Sequence, residues 1–194
     1  MRVKRLFMIS GILGTSGVLC SAFLLLTILW PMSSELALAA PNNYAVVGRP
    51  TITAAQINSV LCRAGSPACG TGNALYSLGV KYGIDPAYAL AFFEKESTFG
   101  KYGVAHTNLG LGNIRCTPGY RCMYGFRAYR SWAEGYADWY QLIRYQYVNS
   151  WHLVTIPQIV QRYAPPVENS TAQYIKFVES SVMVWRHIWH VQRR

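Results

Sequence analysis

The sequence predicts an α+β fold, mainly helical, with one small irregular β lobe inserted among the helices. Three observations carry this. Apolar residues recur at three- and four-residue steps in six stretches between Thr53 and Trp185, the signature of helices with a buried face. Between Gly100 and Tyr129 the pattern breaks: glycines at 100, 103, 110, 112, 119 and 125 exclude a long helix and point to loops with short strands, a small hairpin lobe. Internal repeats and low-complexity tracts are absent, and the roughly 155 residues after position 39 suit a single core.

The chain begins Met1-Arg2-Val3-Lys4-Arg5 and continues with an uncharged apolar run from Leu6 to Trp30. A basic start before such a run is an export signal. The run is also long enough to cross a bilayer as a hydrophobic helix, so two readings stand: a signal cleaved near Ala37-Leu38-Ala39, or a retained membrane anchor through residues 6–30. Cys20 follows Val18 and Leu19, large residues that do not fit a lipidated cysteine. The expected organisation is a leader over 1–39, a linker over 40–52 and a globular domain over 53–190.

Within the domain, Thr53 and Gln56 form a capping box opening a helix with Ile57, Val60 and Leu61 inward. A second helix occupies 72–83 on Leu75, Leu78 and Tyr82. A third begins at Asp85-Pro86, a cap followed by the one helical position where proline is harmless, and stops near Gly100. After the glycine-rich lobe, Ser131 and Glu134 make another capping box for a helix through Trp139, Leu142, Ile143 and Tyr147. A short helix spans 155–163, stopped by Pro165 and Pro166. Residues 168–171 cap a last long helix carrying Tyr174, Phe177, Val178, Val182 and Trp185. Trp132 and Trp139 are expected in the core.

The chain of 194 residues carries 18 basic and 8 acidic ones. Removing Arg2, Lys4, Arg5 and Glu35 with the leader leaves 15 and 7, still strongly basic. The basic residues are scattered, without a nucleic-acid-binding signature, so the expected partner is an anionic cell envelope or wall. Four exported cysteines fall in two close pairs, Cys62 with Cys69 and Cys116 with Cys122. Three connectivities exist; spacing favours the two local disulfides over the others, and a zinc site of four thiolates is the rival.

The third helix ends in Glu94-Lys95-Glu96 although its body is almost wholly apolar. At about 100° per residue, with Ala89 as origin, Phe92 falls near 300°, Phe93 near 40° and Glu96 near 340°, so Glu96 lies in the middle of the buried face. Glu94, near 140°, lies at its margin on a different side. A carboxyl on a buried face either pairs with a cation, an arginine from another segment, or takes a raised pKa, as a general acid needs near neutral pH.

The other acids have structural explanations: Asp85 caps, Glu134 sits in a capping box with Asp138 four residues on, Glu168 lies in a turn and Glu179 stands beside Lys176. No Asp or Glu occurs between Ser97 and Trp132, so the lobe cannot supply a second carboxylate. Glycosidases ordinarily use two, unless the substrate brings its own nucleophile. His106, His152, His187 and His190 lack metal-ligand spacing, and no nucleophile elbow or phosphate loop is present, so neither metal nor cofactor is expected.

Glu96-Ser97 closing an apolar helix, followed by Asn108-Leu109-Gly110-Leu111-Gly112-Asn113-Ile114, resembles the signature of bacterial cell-wall glucosaminidases, glycoside hydrolase family 73. The resemblance continues through Phe126-Arg127-Ala128-Tyr129-Arg130-Ser131-Trp132-Ala133-Glu134-Gly135, then Tyr163-Ala164-Pro165 and the stretch from Glu168 to Ile175. It implies a lysozyme-like fold with a cleft between helical body and lobe. It places Glu96 on the family's general acid and Tyr129 on its active-site tyrosine. Ser97, Asn108, Gly112, Asn113, Phe126 and Tyr163 fall on positions expected to line the cleft, the two asparagines as ligands for acetamido groups. The family often has a second acid in the lobe; its lack here favours participation by the substrate's acetamido group. The implied function is exported cleavage of the β-1,4 bond after N-acetylglucosamine in peptidoglycan. The rivals are lytic transglycosylation and a wall-binding module without turnover.

Overall fold

The computed structural model describes residues 44–167 and 170–192. The leader, Cys20 and the first residues of the expected linker lie outside them, as do Glu168 and Asn169. Among the described residues no helix is long and apolar enough to cross a membrane.

Helix α1 (Ala54–Arg63) opens on the expected capping box, with Thr53 and Gln56 bonding each other's backbone N–H. Helix α2 (Gly72–Tyr82) follows the disulfide between Cys62 and Cys69. The two helices touch at Gly72, where a Cβ would stand 2.5 Å from the Ala54 carbonyl oxygen, so only glycine allows this approach.

Helix α3 (Pro86–Ser97) is the centre of the domain: every residue from Pro86 to Phe93 is buried, on all sides rather than on one face. Such an all-round apolar helix must be covered by neighbours. Phe93 stacks on Tyr136 and meets Trp139 edge-on, while Phe92 packs against Trp139, Tyr163 and Tyr174. Truncating either phenylalanine to alanine would cost about 3–5 kcal/mol. Asp85 caps the helix through the Ala87 N–H, as expected, and does more: it also accepts from Thr51 and from Arg186.

The stop falls earlier than Gly100. Thr98 takes the left-handed C-cap, and Phe99 and Gly100 follow with φ of 56° and 77°. A threonine at φ 48° is strained. Burying the Phe99 ring and bonding Ser97 to the loop beyond offset that strain.

The lobe carries one helical turn, α4 (Ala105–Asn108), and the hairpin β1 (Cys122–Met123) with β2 (Phe126–Arg127). Tyr124 and Gly125 both adopt positive φ, which suits the twist of a two-residue hairpin turn. Cys116 and Cys122 are bonded beside it. With both local disulfides formed, the four thiolates of the zinc alternative are not free.

Helix α5 (Trp132–Gln141) starts at Ser131 as expected, but Glu134 reaches the Arg130 N–H instead of the Ser131 N–H. The chain then departs from the expected continuous α-helix and runs as a π-helix from Leu142 to Ser150, whose wider turn buries Ile143, Tyr147 and Val148. Helix α6 (Ile156–Tyr163) begins at Thr155. Helix α7 (Thr171–Gln192) runs antiparallel to α3, as the pairs Asp85–Arg186, Glu94–Ser181 and Glu96–Tyr174 show.

Residues 44–52, expected as linker, are instead part of the domain. Val46 exchanges backbone hydrogen bonds with Val154 and Asp85, Tyr44 accepts from Ile156, and Val46 and Ile52 enter the core. The short apolar run Tyr44-Ala45-Val46-Val47, set among Pro, Asn and Gly, gave too short a pattern to reveal this.

Candidate active site around Glu96

Glu96 is delivered by the last turn of α3. Its half-buried carboxylate accepts from the Tyr174 hydroxyl of α7 at 2.7 Å on Oε1. Asn113, in left-handed conformation, donates its amide to the Glu96 carbonyl at 2.7 Å and so pins the loop to the helix end. Burial pushes the Glu96 carboxyl above the usual carboxylate range, against hydrogen bonds from Tyr174 and Asn113 and the charge of Lys95. The same negative charge, after burial itself, helps hold the Tyr163 phenol up, which places Tyr163 in the field of Glu96.

Glu94 corrects the helical-wheel expectation that the two acids face different surroundings. It also meets α7, accepting from Ser181 at 3.0 Å, and burial raises its carboxyl as well. The long helix lies across the whole end of α3, with Lys95 over the rings of Tyr174 and Phe177. What separates the acids is the second neighbour: Glu96 has the Asn113 loop beside it.

Several residues expected to meet a ligand build that loop instead. Asn108 is 0% exposed, with its amide nitrogen donating to the Arg127 carbonyl and its oxygen accepting from the Gly110 N–H. Both ends being used in the interior, it cannot receive an acetamido group. Ser97 is buried and bridges the Phe93 and Leu111 carbonyls. Gly112 is a close-approach glycine: a Cβ there would lie 2.5 Å from the Trp139 ring. Tyr163 donates a short hydrogen bond to the Gly112 carbonyl. Phe126 is half-buried on β2, with the Arg115 guanidinium over its ring.

Tyr129 lies on the other side of the loop, its ring against Gly110. It is 6% exposed and donates to Asp138 Oδ2 at 2.6 Å. Burial and that carboxylate push the phenol well above its usual value. Asp138, also paired with Arg127 at 2.9 Å, is the residue the sequence reading missed. Its signal was faint: the second acid of α5, set among aromatics, with Arg127 and Tyr129 two residues apart and both bonded to it. Thus Glu96, Asn113, Gly112, Tyr163 and Tyr174 come together, with Tyr129 and Asp138 forming a second cluster across the 108–114 loop. Asp85 and Asp138 are ion-paired, whereas Glu96 meets this loop through Asn113. No family model matches the chain, and no curated protein matches it.

Proposed function

We propose that the protein is an exported peptidoglycan hydrolase that cleaves the β-1,4 bond after N-acetylglucosamine, with Glu96 as its single general acid. The observation that carries this is a half-buried carboxyl with a raised pKa, held on Oε1 by Tyr174 beside a pinned loop. With Oε1 occupied by a donor, the proton of the neutral acid resides on Oε2. The sequence resemblance to the glucosaminidases supports the reading from an independent side, and the two disulfides suit an oxidising compartment outside the cytoplasm.

In this mechanism Glu96 gives its proton to the glycosidic oxygen as the C–O bond breaks, an effect worth about 10² to 10⁴ in rate. The acetamido carbonyl oxygen of the same sugar bonds to the anomeric carbon. Water then opens that ring, delivers hydroxide to the carbon and returns its proton to Glu96. Tyr129, which donates to Asp138 on the far side of the 108–114 loop, backs that loop from behind in this mechanism.

The single acid also suits lytic transglycosylation, in which the neighbouring sugar's own 6-hydroxyl attacks. Digestion of purified peptidoglycan by the full chain, with the new ends identified by mass spectrometry, separates these. Reducing N-acetylglucosamine ends are expected. Anhydromuramic ends would replace the hydrolase by the transglycosylase, and binding without cleavage would leave a wall-binding module.

A further inference from the structure

Away from Glu96, two adjoining cavities of about 390 and 290 Å³ run between the disulfide-closed lobe and the outer face of α5 and the π-helix. They share Tyr120, Asp138 and Gln141; Tyr129, behind the 108–114 loop, also lines the first, and no residue of 108–114 lines either. The floor is neutral, because Arg127 and Asp138 cancel each other there.

The walls are not neutral. The first cavity is lined by Arg121, Arg130 and Glu134. Both are exposed, and among the described residues neither guanidinium has a hydrogen bond or ion pair. Glu134 uses one carboxylate oxygen on the Arg130 N–H. Farther along stand Gln146, Gln141, whose amide nitrogen donates one hydrogen to the Tyr82 hydroxyl, and Ser150, whose hydroxyl donates to the Tyr145 carbonyl. Tyr120 and Tyr145 flank the groove, 46% and 57% exposed, the former with Arg127 already against one face. From Glu134 to Ser150 the helical wall measures roughly 20 Å at up to about 1.5 Å per residue. That is room for about five or six residues of extended chain at roughly 3.3 Å each.

We propose that this groove binds a short peptide carrying both carboxylates and a free amine. Arg121 and Arg130 receive the carboxylates as charge-assisted hydrogen bonds, Glu134 receives the amine, and the glutamine amides meet the peptide backbone. A neutral glycan would leave three charged groups unmatched, and a polyphosphate would meet Glu134 with like charge. That the peptide is the branch carried by peptidoglycan strands rests on the function proposed above; the site itself does not.

The test uses the synthetic tetrapeptide L-Ala-γ-D-Glu-L-Lys-D-Ala as probe, titrated into the full chain by calorimetry. Binding is expected to weaken roughly tenfold or more in Arg121→Ala/Arg130→Ala, to weaken with added salt, and to be unchanged in Glu96→Gln. Thermal melting of the double variant within a degree or two of wild type confirms that its fold is intact, and the single variants Arg121→Gln and Arg130→Gln give the same ordering if it is not. No binding at millimolar peptide, equal binding by all variants, or tighter binding of poly(glycerol phosphate) than of the peptide overturns the proposal. Peptide binding by a chain that cleaves no glycan would uphold the groove and reject the hydrolase; cleavage without peptide binding would do the reverse.

Discussion

Glu96 is governed by neighbours that act on its proton in opposite senses. Burial favours the neutral acid, while the Tyr174 hydroxyl, the Asn113 amide and the Lys95 charge favour the carboxylate. The balance leaves the pKa raised, so the acid stays protonated, as the proposed acid step needs, above the pH at which an ordinary glutamate ionises. Activity should therefore fall as pH rises through that raised value. Tyr174→Phe removes a donor that stabilises the carboxylate, so the alkaline limb of the kcat profile should move to higher pH. The maximal rate should drop about tenfold, because the carboxyl is no longer aimed. A lower rate with an unmoved limb would assign Tyr174 to packing alone. The buried face carrying Glu96 was legible from spacing. Tyr174 was visible only as one apolar position of a helix, since its partner lies 78 residues away. Asp138 was hidden for the same reason: its cation and its phenol come from the lobe, and no local pattern announces a contact made across a hairpin.

At the scale of elements, the clamp between α3 and α7 brings Tyr174 to Glu96, and its far end is tied by Asp85 and Arg186. The pair is 2.8 Å long, with side chains 3% and 22% exposed. Removing one partner of an enclosed pair leaves a buried charge without compensation. Arg186→Ala should lower stability by about 3 kcal/mol, read from denaturant midpoints at constant m-value. A change under about 0.5 kcal/mol would mean that Thr51 and the helix N-terminus satisfy Asp85 alone. Helix starts were readable wherever a cap has a side-chain signature: Thr53, Asp85, Ser131 and Thr155 all begin helices. The ends were less so. Thr98 holds a conformation that its residue type disfavours, and the π-helix keeps the apolar spacing of an α-helix, so neither could be read from periodicity.

For the whole molecule, the mainly helical α+β class followed from composition and spacing, and the lobe from its glycines. The edge of the domain did not, because residues 44–52 join it largely through backbone bonds and bury only Val46 and Ile52, with no helical or strand period between them. The disulfides close loops of sequence separation 7 and 6. Each should contribute about 2 kcal/mol by limiting the unfolded chain. Reduction should therefore lower the melting temperature by several degrees per bond, and a melt insensitive to reductant would argue that the bonds restrain loops already ordered by packing.

In the proposed mechanism one carboxylate, at the end of the buried helix, performs the acid step. Two neighbouring acids, both with carboxyls raised by burial, allow a direct comparison. Initial rates of peptidoglycan cleavage should fall by about 10² to 10⁴ in Glu96→Gln and by less than about threefold in Glu94→Gln. An inactive Glu94→Gln beside an active Glu96→Gln would contradict the assignment of the acid.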